Sequence, residues 1–289
     1  MIYEKIPVSP DGKNGAVLTC FVKENTKEKP NAVRKAVIIC PGGGYEFCSA
    51  REAEPVAFQF LAMDCQAFVL DYSVAPAVFP QALRELAASV ALVREHAEAW
   101  HIDPEQIYLC GFSAGGHLAA SLGTFWNQEF VWRGIVEEEA AMPAEKVRPN
   151  GLIHSYPVIT SGEFAHEGSF QHLTGHKWAE ESEDKAQIPE LLRWDFLSLE
   201  KQAGPQVPPV FLWHTYTDGT VPAEGSLLYS LALKKAGVSL EMHIFPEGRH
   251  GISLATEETI KEEDDGRGTY VIPACQAWIS LVKRWLSER

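Results

Sequence analysis

Short apolar runs alternate with segments of helical periodicity along most of this chain. The apolar runs, bounded by turn-forming residues, predict strands at 36–40, 67–72, 106–110, 151–159, 208–215 and 239–246. Amphipathic spacing predicts helices at 54–65, 80–100, 114–126, 225–237 and 273–288. Strands that are apolar throughout, each followed by a helix, are typical of a parallel sheet covered on both faces. The pattern therefore predicts one doubly wound α/β domain over residues 1–289, with a mostly parallel sheet.

The segment from about 160 to 206 interrupts this alternation. It is polar, it contains Trp178 and Trp194, and it has no clear strand pattern. We interpret it as a small cap inserted over the sheet rather than as a separate domain.

Net charge and composition exclude some classes of binding partner and favour one cellular compartment. A formal net charge of −14 would repel phosphate backbones, so neither nucleic acid nor a polyanionic substrate is expected. No apolar run is long enough to predict a membrane-spanning helix, so no membrane partner is expected. The first residues lack the pattern of a secretion signal, which favours a cytoplasmic location and free thiols for the six cysteines. The sequence makes no prediction of oligomeric state.

The stretch IYLCGFSAGGHLAA, residues 107–120, places Gly111 and Gly115 around Ser113, between a predicted strand and a predicted helix. Glycine weakens both kinds of element, so this junction must need close backbone approach or backbone freedom. A nucleophile elbow, G-x-S-x-G, has that requirement: a sharp turn lifts the serine oxygen above the sheet, at the start of a helix. A tight turn without catalysis is the alternative.

A nucleophilic serine needs a base to take its proton, and the base needs an orienting group. Of ten histidines, His250 lies in a loop after a predicted strand, where open α/β sheets place functional groups. Asp218 likewise follows the strand predicted at 208–215. The chain order Ser113, Asp218, His250 is that of the α/β-hydrolases. An exposed loop histidine and an aspartate that only caps a turn are the alternatives.

The glycine-rich PGGGY at 41–45 follows the first predicted strand. Its main chain could approach a reacting carbonyl closely, so we assign the oxyanion donors to the amides of Gly43, Gly44 and Ala114. A phosphate cradle is disfavoured, because neither a GK[ST] sequence nor GxGxxG is present.

With these residues placed, nearly the whole chain resembles the α/β-hydrolase esterases related to hormone-sensitive lipase, and in particular the acetyl esterase or acetylxylan esterase branch. PGGGY is similar to the HGGG loop of that family, GFSAGGHLAA to its elbow, and DYSVAPAVFPQALRELAASV at 71–90 to its Y-R-L-A-P segment. Pro41 replaces the loop histidine and Ser73 the arginine, which favours the sugar-ester branch.

The resemblance implies a cofactor-free carboxylic ester hydrolase with the α/β-hydrolase fold and a preference for short acyl chains. Small-molecule or oligosaccharide esters, especially acetyl esters of sugars, are the expected substrates. An amidase or exopeptidase, and a non-catalytic ligand receptor with the same fold, remain as alternatives.

Aromatic side chains near the predicted mouth could stack on a sugar. The candidates are Tyr45, Phe164, Trp178, Trp194 and Tyr216. The alternative is that they pack the cap onto the sheet. The cap histidines, His166, His172 and His176, have no metal-ligand spacing, so no metal site is expected.

Overall fold

The computed structural model describes residues 1–10, 12, 15–138, 140, 142–261 and 270–289. Its strands are β1 (Ile2–Pro7), β2 (Val17–Val22), β3 (Arg34–Cys40), β4 (Gln66–Asp71), β5 (Ile102–Phe112), β6 (Gly151–Ser155), β7 (Val210–Thr215) and β8 (Leu240–Phe245). Its α-helices are α1 (Glu54–Ala62), α2 (Gln81–Glu95), α3 (Ala114–Phe125), α4 (Glu129–Trp132), α5 (Pro143–Val147), α6 (Glu167–Thr174), α7 (Trp178–Glu183), α8 (Leu199–Gln202), α9 (Ala223–Lys235) and α10 (Pro273–Ser287).

The strands form one sheet in the order β1-β2-β4-β3-β5-β6-β7-β8. The six strands from β3 to β8 run parallel to one another, and β1 and β2 add an antiparallel edge. Strands β3 and β5 lie side by side near the middle, so the loops at their carboxyl ends, PGGGY and the serine turn, meet at one edge of the sheet. Strands β7 and β8, which precede the Asp218 and His250 loops, end at the same edge.

Two apolar layers enclose the sheet, because successive strand residues point to opposite faces. On β3, Ile38 packs in the layer shared with α2, α3 and α9, while Val37 and Ile39 pack in the layer shared with α1 and α10. This arrangement confirms the predicted doubly wound sheet with helices on both faces.

The predicted strands and helices all occur, with ends that differ by a few residues. The antiparallel pair β1–β2 was not predicted. Strand β1 is a mostly exposed edge strand with polar residues, and the apolar run of β2 was missed because no helix follows it. Among the described residues, no helix is both long and apolar enough to cross a membrane.

The cap segment contains α6, α7, α8 and two short 3₁₀ turns, and no strand is found among residues 160–206, all of which are described. Its apolar residues pack onto α3: Phe196 stacks on Phe125 with ring centroids 5.2 Å apart. The cap therefore rests on the helix that follows the serine turn.

The turn between β5 and α3 is built on backbone-to-backbone contact. A Cβ at Gly111 would lie 2.2 Å from the carbonyl oxygen of Gly115, and a Cβ at Gly115 would lie 2.1 Å from that of Cys40. Side chains at either position are therefore excluded, as the sequence pattern indicates.

A Gly111→Ala variant is expected to lower the free energy of unfolding by about 3 kcal/mol, because the added methyl group meets main-chain atoms that cannot rotate away. Gly15→Ala is the matched control, since a Cβ there meets nothing within 4 Å, and it should change stability by less than about 0.5 kcal/mol. Urea denaturation measures both. Equal stability of the two variants would contradict the close main-chain contact between Gly111 and Gly115.

Candidate active site

Ser113 lies at the apex of the turn with φ 52° and ψ −118°, which is strained for a non-glycine residue. Its amide donates to Ser155 on the neighbouring strand (3.0 Å), and its carbonyl accepts from Val158 (3.0 Å). These bonds hold the strained residue in place. Its Oγ lies 2.7 Å from Nε2 of His250.

Asp218 connects to the other nitrogen of that imidazole: His250 Nδ1 lies 2.6 Å from Oδ2 of Asp218. The second carboxylate oxygen, Oδ1, accepts from the amides of Thr220 (2.9 Å) and Val221 (3.0 Å). Asp218 is therefore both a turn-capping residue and the partner of His250, so the two interpretations of the sequence are compatible.

The Asp218 carboxylate is held in its ionised form. Burial by itself would raise the pKa of Asp218, but hydrogen bonds from His214 and His250 hold it well below its usual range. His214 Nε2 lies 3.3 Å from Oδ2, behind the carboxylate. An ionised, fully hydrogen-bonded Asp218 fixes His250 with its proton on Nδ1 and leaves Nε2 free to accept the serine proton.

The glycine loop lies against the serine turn. Gly43 (φ 134°) and Gly44 (φ 65°) have backbone conformations that favour glycine, and both line the same cavity as Ser113. Ala114 begins α3, so its amide has no carbonyl within the helix to bond. These are the three amides that the sequence assigns to an oxyanion.

Two cap contacts fix the glycine loop. His172 on α6 has Nδ1 2.9 Å from the carbonyl oxygen of Gly44. The hydroxyl of Tyr45 donates to Nδ1 of His117 (2.9 Å), whose Nε2 in turn donates to the carbonyl of Leu197 (2.9 Å). Burial lowers the pKa of His117 to about 4, so it stays neutral and can make both bonds.

Glu52 joins the glycine loop to the histidine loop. It is almost fully buried, with Oε2 accepting from the amide of Gly42 (2.8 Å) and Oε1 from the hydroxyl of Tyr156 (2.7 Å). That hydroxyl also accepts from the amide of Ser253 (2.8 Å), and the Tyr156 ring packs edge-on to His250. Nothing in the sequence around Glu52 distinguishes it, so this bridge was not predicted.

A cavity of about 620 Å³ opens above these groups. Besides the catalytic candidates Ser113 and His250, it is lined mainly by polar side chains, with two aromatic rings. The lining side chains used below are Phe47, His166, Thr217, Thr220, Arg249 and Tyr270.

None of the five aromatic residues predicted at the mouth is among the described residues that line this cavity. Tyr45 is buried with its hydroxyl on His117, and Trp194 is buried between Phe170 and Trp178. For these two residues the expectation of a substrate contact is corrected: they pack the loop and the cap.

The other three aromatic predictions also lie apart from the cavity. Trp178 is half-exposed and covers Trp194, Phe164 is partly buried, and Tyr216 is exposed. The aromatic side chains that do line the cavity, Phe47 and Tyr270, were not predicted. A periodic pattern could not have indicated them, because both lie in irregular segments.

The three cap histidines have separate partners. His166 bonds Ser169, His172 bonds Gly44 and His176 bonds Glu181. They do not converge on one point, and no group of metal-binding side chains occurs among the residues that the structure describes.

The chain matches one family model and is similar to several known proteins. The sequence model of the BD-FAE family matches residues 22–233. Endo-1,4-beta-xylanase B of Butyrivibrio fibrisolvens is 32% identical over 78% of this chain, and the acetylxylan esterase of Xylanibacter ruminicola is 27% identical over 86%. The chain spans only 33% and 46% of the lengths of these two curated relatives.

Solved structures match over nearly their full length. The acetyl ester-xyloside bifunctional hydrolase from Caldicellulosiruptor lactoaceticus has a TM-score of 0.79 and 32% identity, covering 99% of this chain and 96% of its own. The carboxylesterase Cest-2923 from Lactobacillus plantarum has a TM-score of 0.80 and 28% identity, covering 100% and 98%. The chain therefore belongs to the BD-FAE family and has the α/β-hydrolase fold.

Proposed function

We propose that this protein is a serine esterase that removes short acyl groups, most favourably acetyl, from sugars or xylo-oligosaccharides. The observation that carries the proposal is the continuous hydrogen-bonded series from Ser113 through His250 to Asp218, with separations of 2.7 and 2.6 Å. Its location beside the glycine loop supports acyl transfer as the reaction class.

In the proposed mechanism, Ser113 Oγ attacks the ester carbonyl while Nε2 of His250 takes the hydroxyl proton. The ionised Asp218 stabilises the resulting imidazolium. The amides of Gly43, Gly44 and Ala114 bind the oxyanion. His250 then returns the proton to the leaving alcohol, and water cleaves the acyl-enzyme by the same steps in reverse.

The polar lining of the cavity supports an ester substrate whose alcohol part carries polar groups. Thr217, Thr220 and Arg249 are among its lining residues, so the cavity offers polar and charged surface to the hydroxyl groups of a sugar and little apolar surface to a lipid-like alcohol. Two relatives point the same way, since one is named an acetylxylan esterase and another an acetyl ester-xyloside hydrolase. No cofactor is required by this mechanism.

The substrate proposal is tested with acetyl, butyryl and octanoyl esters beside acetylated xylo-oligosaccharides and a dipeptide anilide. The highest kcat/KM is expected for the acetyl esters. Faster cleavage of the anilide would favour an amidase instead.

Ser113→Ala is expected to lower kcat for phenyl acetate on the order of 10⁶-fold, because no other group replaces the nucleophile. A fluorophosphonate probe should label the wild-type protein and not this variant. Ser287→Ala, which alters a hydroxyl near the end of α10, is the control and should keep wild-type turnover. Turnover by Ser113→Ala at the wild-type rate would refute the mechanism.

Asp218→Asn is expected to lower kcat about 10⁴-fold, because an amide neither stabilises the imidazolium nor fixes the tautomer of His250. Asp195→Asn is the matched control, since that carboxylate pairs with Lys185 (2.6 Å) on the exposed surface of the cap, apart from Ser113 and His250. Steady-state kinetics on phenyl acetate compares the two. Similar turnover of the two variants would show that Asp218 takes no part in the mechanism.

His172→Leu tests the glycine loop as the oxyanion site. The loss of the bond to Gly44 should lower kcat about 10-fold and leave KM nearly unchanged, because the loop amides bind the developing charge most strongly in the transition state. His172→Asn can still donate from the position of Nδ1 and should retain most of the activity. If KM rises while kcat is preserved in both variants, the loop binds substrate rather than the oxyanion.

A further inference from the structure

His166 is a polar side chain in the cavity that the mechanism does not use. It is the residue before α6, and it lines the same cavity as Ser113 and His250. It comes from the cap, whereas the reacting groups come from the edge of the sheet. Its ring can therefore contact a bound substrate without taking part in the bond changes.

The contacts of the ring determine which nitrogen carries the proton. Nδ1 of His166 accepts from the backbone amide of Ser169 (3.2 Å) and lies 2.8 Å from its Oγ. A backbone amide can only donate, so Nδ1 must be unprotonated. In the neutral ring the proton then resides on Nε2.

His166 lines the cavity, and its Nδ1 is occupied by the first turn of α6, so Nε2 is the nitrogen that remains for a ligand. The Cε1 atom lies 3.6 Å from the position of a Cβ on Gly168, so the edge with Nδ1 and Cε1 faces α6. No hydrogen bond from Nε2 is found among the residues that the structure describes. Burial and the neighbouring His250 lower the pKa of His166, so the ring stays neutral near pH 7 and Nε2 stays a single, fixed donor.

We propose that His166 determines specificity for the alcohol part of the ester by donating a hydrogen bond from Nε2 to a hydroxyl or ring oxygen of a polyhydroxylated substrate. The inference rests on the proposed esterase function and assigns to one cap residue the preference for sugar esters over simple esters. A simple aryl or alkyl ester has no acceptor beyond the reacting group, so it cannot use this donor.

Two substitutions separate this role from the structural role of capping α6. His166→Asn keeps an oxygen that can accept from the Ser169 amide, since asparagine is a favourable N-cap, but it has no donor at the position of Nε2. His166→Gln places an amide nitrogen near the position of Nε2 and caps the helix less well. A purely structural role predicts that glutamine is the more damaging change, whereas a specificity role predicts that asparagine is.

The measurement is kcat/KM for methyl 2-O-acetyl-β-D-xylopyranoside, which has free hydroxyls, divided by kcat/KM for phenyl acetate. In His166→Asn this ratio should fall about 10-fold, mainly through KM of the xyloside, because one hydrogen bond is lost. In His166→Gln it should stay within about 3-fold of wild type. Thermal denaturation should show that His166→Asn is at least as stable as His166→Gln.

A wild-type ratio in His166→Asn would overturn the inference, and so would an equal fall in both variants. Neither result would affect the proposed function if phenyl acetate is still hydrolysed by all three proteins and not by Ser113→Ala. Failure of the wild-type protein to hydrolyse either ester would overturn the proposed function and this inference together.

Discussion

The close contact of main chains at the β5–α3 turn is the constraint on which the site depends. Cβ atoms at Gly111 and Gly115 would overlap carbonyl oxygens of the neighbouring backbone, and one at Gly42 would lie 2.9 Å from Cβ of Ser113. Only with all three side chains absent can β3, β5 and α3 come this close. The same contact that strains Ser113 therefore also brings the glycine loop beside its hydroxyl, so one packing arrangement positions both the proposed nucleophile and the proposed oxyanion donors.

A second constraint is the number of donors around one buried carboxylate. Asp218 accepts from two amides of its own turn and faces His214 and His250, so both carboxylate oxygens have hydrogen-bond partners within the protein. The two amide hydrogen bonds of the turn fix the position of Oδ1. This also fixes the direction in which Oδ2 faces the imidazole of His250. The edge-on ring of Tyr156 supports His250 from another side. The histidine is thus oriented before any substrate binds, which lowers the cost of reaching the reactive geometry.

The six parallel strands, and the meeting of the groups that follow them at one edge of the sheet, could be predicted from the sequence, because both follow from local patterns; the antiparallel edge pair β1–β2 could not. Apolar runs identify parallel strands, and residues just after such strands meet in space; Ser113, Asp218 and His250 satisfy that rule. The aromatic predictions went wrong for Tyr45 and Trp194, because whether a ring faces a cavity or the core depends on packing between distant segments. Glu52 was missed for the same reason, since its partners are remote in sequence.

In the proposed mechanism, the groups at the sheet edge carry out the reaction and the cap influences which substrate is accepted. The proposed nucleophile, base and oxyanion donors all lie in the loops that follow strands or at the start of α3, where small displacements would be costly for catalysis. The cap contributes in two ways: His172 on α6 bonds the glycine loop, and His166, which precedes α6, lines the cavity. The cap can therefore change which alcohol is accepted through His166 without moving the reacting atoms. A change at His172 would instead be transmitted through Gly44 to the transition state.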